Sequence, residues 1–392
     1  MKIKPILIVF SFCVIALTRC EYEVTQPAWY RDFTEPATPS IEAIDPDTAT
    51  AGCNYIAISG QNFTGQPTVY FDNIQATVAL STSDLITIHR PNIAGDSCVV
   101  KVVCDSALVV AKFSPYKITQ VLESYGNFVE NTALSAVAID STENLYVVDN
   151  SLNIYKVASN GDKTLLGTAA RTVYDATVGP DRRLYLLSNN RSIEVVDPQT
   201  GTGSEWIKLP TGKLVKSGDF DRNGYFYTGG RRSGIVIIAP DMTPTATSFY
   251  TADDITGIHV FDQYLYLNLI CANPDSLNPA RAIWRHPIDN TGVLGDRELV
   301  LDLTAYSANT LNSFYLSSDS KLFLGSNSQT PLLMVDLTDN SLDCFYLGIV
   351  PSYSKYFCWG YGNYMYMICG DTDLGEEWTV YRIDLGTTVQ SK

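Results

Sequence analysis

The 392-residue chain has 42 acidic and 27 basic side chains, which gives a formal net charge of −15 at neutral pH. An acidic surface disfavours nucleic acid and anionic membranes as partners, and it favours a neutral polysaccharide over an anionic one unless a local basic patch dominates. The chain is rich in glycine and tyrosine without a low-complexity tract, which is typical of a folded β protein.

The first twenty residues have the pattern of an export signal. Lys2 and Lys4 precede an apolar stretch, residues 6–17, that is too short for a comfortable membrane span, and Cys20 follows it. The segment resembles a bacterial lipoprotein signal, although Arg19 stands where that family has a small residue. The resemblance implies lipidation at Cys20, export and anchoring to the outer membrane at the cell surface. Ordinary secretion with an incidental cysteine is the alternative.

Residues 21–38 contain prolines and few apolar side chains, which predicts a flexible stalk. Residues 39–117 then show short alternating strands separated by Gly, Pro and Asn turns, as a small β-sandwich requires. Pro46, Gly52, residues 60–63, residues 69–71 and Pro91 follow the order of landmarks in the immunoglobulin-like IPT/TIG domain, which this segment resembles. The resemblance implies a spacer or packing module without catalytic activity.

From about residue 134 onward a short apolar phrase recurs after a turn. Its aromatic positions are Tyr146, Tyr185, Phe226, Tyr266, Phe323 and Tyr366. They are separated by 39, 41, 40, 57 and 43 residues. A period near 40 built from short apolar strands predicts a β-propeller with one four-stranded blade per repeat. The long step comes mainly from an insertion at residues 271–280, between the second and third strands of the fourth blade.

The sixth repeat lacks an outer strand, and residues 118–122 can supply it. Closing the ring in this way removes both open sheet edges. The sequence therefore predicts an all-β chain, in which a small immunoglobulin-like β-sandwich precedes a six-bladed β-propeller over residues 118–392 that is closed by an N-terminal strand. The repeated sequence motifs resemble those of NHL-type propellers, most visibly in the first blade.

In a propeller, the loops between second and third strands and the links between blades open on one face around the central channel, where function usually concentrates. The sequence places Asn, Asp, Arg and aromatic residues there, which is a set of side chains that binds sugars. The alternative is that most of them only form turns. The ligand-binding candidates are Asp149, Asn150, Asn190, Arg231, Arg232, Asn273, Asn327, Asp371 and Trp378.

The sequence contains no calcium-binding loop, zinc pattern, nucleophile elbow or phosphate loop, so we assign no catalytic residue, metal or cofactor. The cysteines after Cys20 lack metal-ligand spacing, and we expect them to be buried free thiols, although a bond from Cys53 to Cys98 or Cys104 stays open. His259 could face the channel as a lyase-type base, and acidic pairs could serve a glycosidase.

The order of acylated cysteine, stalk, IPT/TIG domain and propeller resembles that of accessory glycan-binding proteins in outer-membrane uptake systems. The resemblance implies a non-catalytic surface lipoprotein that binds a polysaccharide or oligosaccharide. Its partners would be the glycan, an outer-membrane transporter or another envelope protein, and the membrane through the lipid anchor, but not nucleic acid. The alternatives are a propeller-type glycoside hydrolase or polysaccharide lyase, and a protein-interaction scaffold of the cell envelope.

Overall fold

The computed structural model describes residues 37–105, 107–128, 132–306, 311–328, 330–371 and 376–391. The predicted signal segment with Cys20 and nearly all of the predicted stalk lie outside these ranges. Inside them the regular structure is β-strand apart from one 3-10 turn, Thr304–Tyr306, which confirms the all-β prediction. The described part of the chain has no helix with the length and hydrophobicity that a membrane span requires.

The first domain is a sandwich of two sheets. Its strands are β1 (Ser40–Asp45), β2 (Thr48–Ala49), β3 (Tyr55–Gln61), β4 (Thr68–Phe71), β5 (Ile74–Ala76), β6 (Val78–Ser81), β7 (Leu85–His89), β8 (Gly95–Val103) and β9 (Ala111–Ile118). One sheet has the order β1-β3-β7-β6 and the other the order β2-β9-β8-β4-β5. Alternate residues of each strand face the interior, among them Ile56, Ile58, Val69, Phe71 and Val100, which are all fully buried.

The described residues after the sandwich form six sheets of four antiparallel strands, which confirms the six-bladed propeller. Blade one consists of β11 (Leu134–Ile139), β12 (Leu145–Asp149), β13 (Asn153–Val157) and β14 (Lys163–Thr168), and blade two of β15 (Asp175–Val178), β16 (Leu184–Leu187), β17 (Ser192–Val196) and β18 (Gly203–Lys208). Blade three consists of β19 (Ser217–Phe220), β20 (Phe226–Gly230), β21 (Gly234–Ile238) and β22 (Pro244–Ala246), and blade four of β23 (Asp254–Phe261), β24 (Tyr264–Ile270), β25 (Arg281–Pro287) and β26 (Glu298–Asp302). Blade five consists of β27 (Leu311–Leu316), β28 (Lys321–Ser326), β29 (Leu332–Asp336) and β30 (Ser341–Cys344), and blade six of β31 (Ser354–Trp359), β32 (Tyr364–Asp371), β33 (Glu376–Asp384) and β10 (Leu122–Ser124).

An N-terminal strand closes the ring, as predicted, but it starts later than predicted. The pairing partners are Leu122 with Ile383, Glu123 with Arg382 and Ser124 with Tyr381. Only the last residue of the predicted segment 118–122 belongs to this strand. Ile118 instead ends β9, and the Thr119 N–H donates to the Ala49 carbonyl at 3.0 Å, so the first half of the segment is held by the sandwich.

The pairing of first and second strands sets the alignment of the six repeats. Tyr146, Tyr185, Tyr266, Phe323 and Tyr366 lie opposite equivalent residues of the first strands. The equivalent residue of blade three is Tyr227, opposite Asp219, and not Phe226 as the sequence suggested. The steps are therefore 39, 42, 39, 57 and 43 residues. Three successive aromatic residues, 225–227, obscured this register in the sequence.

An aspartate in the turn between first and second strands recurs in the first three blades. Asp140, Asp181 and Asp221 each accept a hydrogen bond from the backbone of the same turn. Each also accepts one from the hydroxyl of the second-strand tyrosine, at 3.0, 2.9 and 3.3 Å. The buried tyrosine of the repeat thus has a polar partner for its hydroxyl, which a phenol in a core requires.

Hydrogen bonds join the sandwich to the outer strand of blade five and the turn after it, and Tyr346 of that turn also reaches the end of β33 in blade six. The Tyr346 hydroxyl accepts from the Gly52 N–H at 2.7 Å and donates to the Asp384 carbonyl at 2.9 Å. The Asn54 side chain accepts from the Tyr346 N–H at 2.8 Å and donates to Asp343 Oδ2 at 2.8 Å. These contacts lie at the outer edge of the ring, away from the first strands that surround its channel.

Replacing the interdomain tyrosine tests this junction. In Tyr346→Phe the buried ring stays, but both hydrogen bonds of the hydroxyl are lost, so we expect the free energy of unfolding to fall by about 1–3 kcal/mol. Urea denaturation monitored by fluorescence measures the change. Tyr361→Phe is the control because that ring is 64% exposed. Equal midpoints for the two variants would contradict the role of the Tyr346 hydroxyl.

Candidate functional site

The first strands of the six blades surround a central channel. Each contacts the first strand of the next blade, and β31 contacts β11, so the ring is complete. We call the end of the channel where these strands begin the loop mouth, because the inter-blade links and the loops between second and third strands lie there. The other end, at the turns from first to second strands, is the turn mouth.

One residue from each blade lies at the same level of the channel, opposite the repeated aromatic position. These residues are Ala138, Thr177, Asp219, His259, Tyr315 and Cys358. Blades two to four contribute hydroxyl, carboxylate and imidazole groups, whereas blades five, six and one contribute an aromatic ring, a thiol and a methyl group. The channel therefore has a polar wall and a largely apolar wall.

Asp219 is the centre of the polar wall. Its side chain is 4% exposed and accepts from Thr177 Oγ1 of blade two at 3.1 Å and from the Val260 N–H of blade four at 3.1 Å. His259 Nδ1 lies 3.8 Å from Asp219 Oδ2. Because these bonds cross two blade boundaries, the carboxylate is held in place by three sheets and not by a loop.

A second carboxylate lies one level nearer the loop mouth. Asp175 Oδ2 accepts from Ser217 Oγ at 2.6 Å, and Ser217 Oγ in turn accepts from the Ile258 N–H at 2.9 Å. Burial raises the pKa of Asp175, and the His259 side chain and the hydrogen bonds partly oppose this effect. Hydrogen bonds between blades two, three and four thus continue through two levels of the polar wall.

The apolar wall is built around Tyr315. Its ring lies 4.3 Å from the His259 ring and 5.5 Å from the Phe357 ring, measured between centroids. Burial raises the pKa of the Tyr315 phenol well above its ordinary value, so this residue is neutral at physiological pH. The wall presents aromatic and aliphatic surface to the same cavity that the Asp219 carboxylate lines.

A cavity of about 360 Å³ opens at the turn mouth between the two walls. Thr177, Asp219 and Tyr315 line its floor, and Tyr361, which is 64% exposed, stands at its rim. Residues 388–391 form one side. Three backbone hydrogen bonds hold this segment at the turns of blades four and five. The Gln390 N–H donates to the Leu316 carbonyl at 2.7 Å, and the Ser318 N–H donates to the residue 388 carbonyl at 2.8 Å. The residue 262 N–H donates to the residue 391 carbonyl, also at 2.8 Å.

Two of the predicted ligand-binding residues serve the turns of the loop mouth. Asp149 is 4% exposed and accepts from the Asn153 N–H and side-chain amide, both at 2.8 Å. Asn190 Oδ1 accepts from the Ser192 N–H at 2.7 Å. Their polar groups are used to shape the loops, which is the alternative that the sequence left open.

The remaining predicted residues are dispersed around the loop mouth. Asn150, Asn273, Asn327, Arg231 and Arg232 are exposed on the loops of blades one, three, four and five. Asp371 ends β32, and its side chain lies outside the described part of the structure. The structure brings Arg231 and Arg232 next to each other, as their adjacency in sequence requires, but it shows no common pocket formed by the whole set among the described residues.

Trp378 requires a correction. It was predicted as a ligand platform near a loop, but it is 6% exposed and packs in the core between blades six and one with Phe128, Leu134 and Val380. The cause is the position of β33, which starts at Glu376 and places residue 378 inside the sheet. A ring so enclosed offers no face to a ligand.

The turn-mouth cavity was not predicted, and a signal for it was present in the sequence. Asp175, Asp219 and His259 interrupt otherwise apolar or small first strands in three successive blades. A charged or titratable residue at that position is costly to bury unless it is paired. The described residues contain no group of three His, Cys, Asp or Glu side chains that could hold a metal ion. The seven described cysteines are free.

Comparison with known families covers the first domain. Residues 39–119 match the family model of the IPT/TIG domain, in agreement with the resemblance found in the sequence. No curated protein matches the chain.

Solved structures show likeness over most of the chain. An auxiliary nutrient binding protein from Bacteroides thetaiotaomicron has a TM-score of 0.52 and 9% identity, with 88% of this chain and 97% of that chain covered. A protein of unknown function from the same organism has a TM-score of 0.52 and 11% identity, with 90% and 98% covered. A gluconolactonase from Xanthomonas campestris has a TM-score of 0.52 and 12% identity, with 83% and 98% covered. At such identities these likenesses show the fold alone.

Truncating Trp378 separates the two roles considered for it. As a core residue between two blades, its replacement by alanine should lower the free energy of unfolding by about 3–5 kcal/mol. Chemical denaturation with linear extrapolation measures the loss. Trp206→Ala is the matched control, since that ring is only half-buried and should cost less. A stable Trp378→Ala protein that has lost ligand binding would restore the platform role.

Proposed function

We propose that the protein is an exported, lipid-anchored surface protein that binds a neutral oligosaccharide in the turn-mouth cavity and supports uptake of that glycan through an outer-membrane transporter. The observation that carries the proposal is the two-sided wall of the cavity. The carboxylate of Asp219 and the hydroxyl of Thr177 face one side of a guest, and the rings of Tyr315 and Tyr361 face the other.

This arrangement suits the chemistry of a sugar ring. A pyranose has hydroxyl groups at its edge, which carboxylates and hydroxyls bind by hydrogen bonds, and C–H groups on its faces, which aromatic rings cover. A cavity of about 360 Å³ is of the size that small-ligand sites have in proteins. Because three blades hold Asp219, the site needs little ordering when the guest binds, and preorganisation of this kind favours affinity.

Two further considerations support a binding role. The Bacteroides structure of similar fold is a nutrient binding protein, and its fold covers most of this chain. The resemblance of the first twenty residues to a lipoprotein signal supports a position at a membrane surface, where capture of a nutrient beside a transporter would be useful. The hydrogen bonds between the sandwich and the propeller lie at the outer edge of the ring, away from the strands that line the channel. This position fits a spacer role for the sandwich.

Truncation of the rim tyrosine tests this function. Tyr361→Ala should weaken binding of a neutral oligosaccharide about tenfold, because loss of one sugar–aromatic contact of about 1.4 kcal/mol corresponds to that factor. Isothermal titration calorimetry with maltose, cellobiose, xylobiose and their longer homologues measures the affinity. Tyr174→Ala is the matched control at the loop mouth, where the ring is 36% exposed.

The two outcomes are distinct. Unchanged affinity in Tyr174→Ala with a loss in Tyr361→Ala supports the turn-mouth site. If the folded protein binds none of these sugars, or if only Tyr174→Ala lowers affinity, the proposal fails.

One observation favours a second candidate function, which is catalysis by a propeller-type hydrolase or lyase. His259 Nδ1 lies 3.8 Å from Asp219 Oδ2, and the imidazole is 16% exposed in the channel. A carboxylate beside an imidazole can orient the ring for proton transfer, which is the arrangement of a general base.

Turnover measurements separate the two functions. For the binding protein we expect no release of reducing ends and no unsaturated product when the glycan is incubated with the protein for hours. Should product appear, His259→Gln is expected to lower kcat by about 10²–10⁴-fold, the usual contribution of a general base. The same variant should then retain its affinity for the glycan. A gel-retardation assay checks this, because it measures binding and not turnover.

A further inference from the structure

After β33 the chain turns back across the turn mouth. We call residues 385–391 the strap, because they contact the turns between first and second strands of three blades in succession. The Leu385 N–H donates to the Asn363 carbonyl in the turn of blade six at 3.0 Å. The strap then follows the turns of blades five and four, where the N–H groups of Ser318 and Asp262 each donate to a strap carbonyl at 2.8 Å.

We propose that the strap makes the turn-mouth cavity specific for the end of a neutral oligosaccharide chain, and that its residue Gln390 binds the sugar. This inference rests on the proposed function of the cavity and adds which part of a glycan the cavity accepts. A cavity that is closed at its floor and along one side can admit a chain terminus. The interior of a chain, in contrast, needs two openings, because the chain leaves the site in both directions.

The strap closes one half of the cavity rim. All six blades line the cavity with residues of their first strands. Among the described residues, those that line it beyond these strands are Gly360 and Tyr361 in the turn of blade six and residues 388–391 of the strap. The rim is therefore built up along blades six, five and four and stays low along blades one, two and three. A glycan that enters over the low half meets the strap on the far side.

The strap is fixed in place before a guest binds. Gly386 has a φ of 67°, and a Cβ at this position would collide with the Ala51 carbonyl oxygen of the sandwich. Thr387 Oγ1 donates to Asp319 Oδ1 at 3.0 Å. Val389 packs against the apolar cores of blades four to six. Because these contacts already order the segment, little entropy is lost when a ligand binds against it.

Gln390 gives the strap a polar group that suits sugar hydroxyls. Its N–H donates to the Leu316 carbonyl at 2.7 Å, which holds the residue beside the cavity that it lines. Its side-chain amide is partly exposed and forms no hydrogen bond with the described residues. An amide can donate to one hydroxyl and accept from the next, as neighbouring hydroxyls of a pyranose require. Residues 385–391 contain no charged side chain, which fits a neutral guest.

Replacement of Gln390 tests the contact with the sugar. Gln390→Ala should lower the affinity for the shortest oligosaccharide that the unmodified protein binds by about threefold to tenfold, the effect of one lost hydrogen bond. Isothermal titration calorimetry with maltose, cellobiose, xylobiose and their longer homologues measures the affinity. Gln199→Ala is the matched control, because that glutamine is exposed in the turn between β17 and β18 and does not line the cavity.

The length of the oligosaccharide tests the preference for a chain end. In the unmodified protein the affinity per chain should level off beyond the shortest homologues, because only the terminal sugars enter the cavity. Removal of residues 387–392 opens the closed side. The affinity should then rise with chain length, since a chain that binds by its interior gains a binding register with each added sugar. Urea denaturation checks that the shortened protein is folded. If it is not, Gln390→Ala and the length series of the unmodified protein carry the test.

The outcomes separate this inference from the function proposed for the cavity. Weaker binding by Gln390→Ala together with an affinity that levels off with chain length supports the strap as the specificity element. If Gln390→Ala binds normally, or if the affinity of the unmodified protein climbs steadily with chain length, the inference about the strap is wrong. Sensitivity to Tyr361→Ala would still support the cavity in that case. A folded protein that binds none of the sugars overturns both proposals.

Discussion

The pairing of β10 with β33 is the interaction on which the rest of the structure depends. A four-stranded blade with an unpaired outer strand would expose a row of N–H and C=O groups, and a ring with a missing strand would leave the sixth blade open. Residues 122–124 satisfy these groups, and the Glu123–Arg382 ion pair adds to the same seam. The closing strand also ties the end of the sandwich to the propeller, since β9 ends only four residues before it.

Closure has consequences for chemistry because it forces six first strands to converge. Their side chains would remain far apart in an open stack of sheets, but in the ring Asp219 reaches Thr177 of one neighbour and Val260 of the other. A buried carboxylate is tolerated only when such partners are present. The polar wall and the hydrogen bonds between blades two to four are thus the same structural feature, which both holds the blades together and lines the turn-mouth cavity.

The two mouths of the channel differ in chemistry for a topological reason. Short turns from first to second strands, several capped by aspartate, surround the turn mouth and leave a confined cavity with an aromatic rim. The inter-blade links and the long loop 271–280 of blade four surround the loop mouth, so their side chains spread over a wider surface. The turn mouth therefore encloses a cavity, whereas the loop mouth is an open surface.

Much of the fold follows from the sequence alone. The period of about 40 residues determined six blades, and the missing sixth outer strand determined that an upstream segment must complete it, because an unpaired edge is unfavourable. The alternating strands and turn residues before residue 118 likewise determined a sandwich. These inferences rest on local composition and spacing, which do not depend on how the blades meet.

The tertiary structure alone decided the register and the site. Only strand pairing shows that Tyr227 and not Phe226 belongs to the repeat, since adjacent aromatic residues satisfy the pattern equally well. Likewise Trp378 is a core residue because β33 begins two residues earlier, and Asp149 is a turn residue because Asn153 folds back onto it. Asp219 and His259 stand out in the sequence as polar residues on first strands, but they and Tyr315 are distant along the chain, and only closure of the ring brings the three residues together.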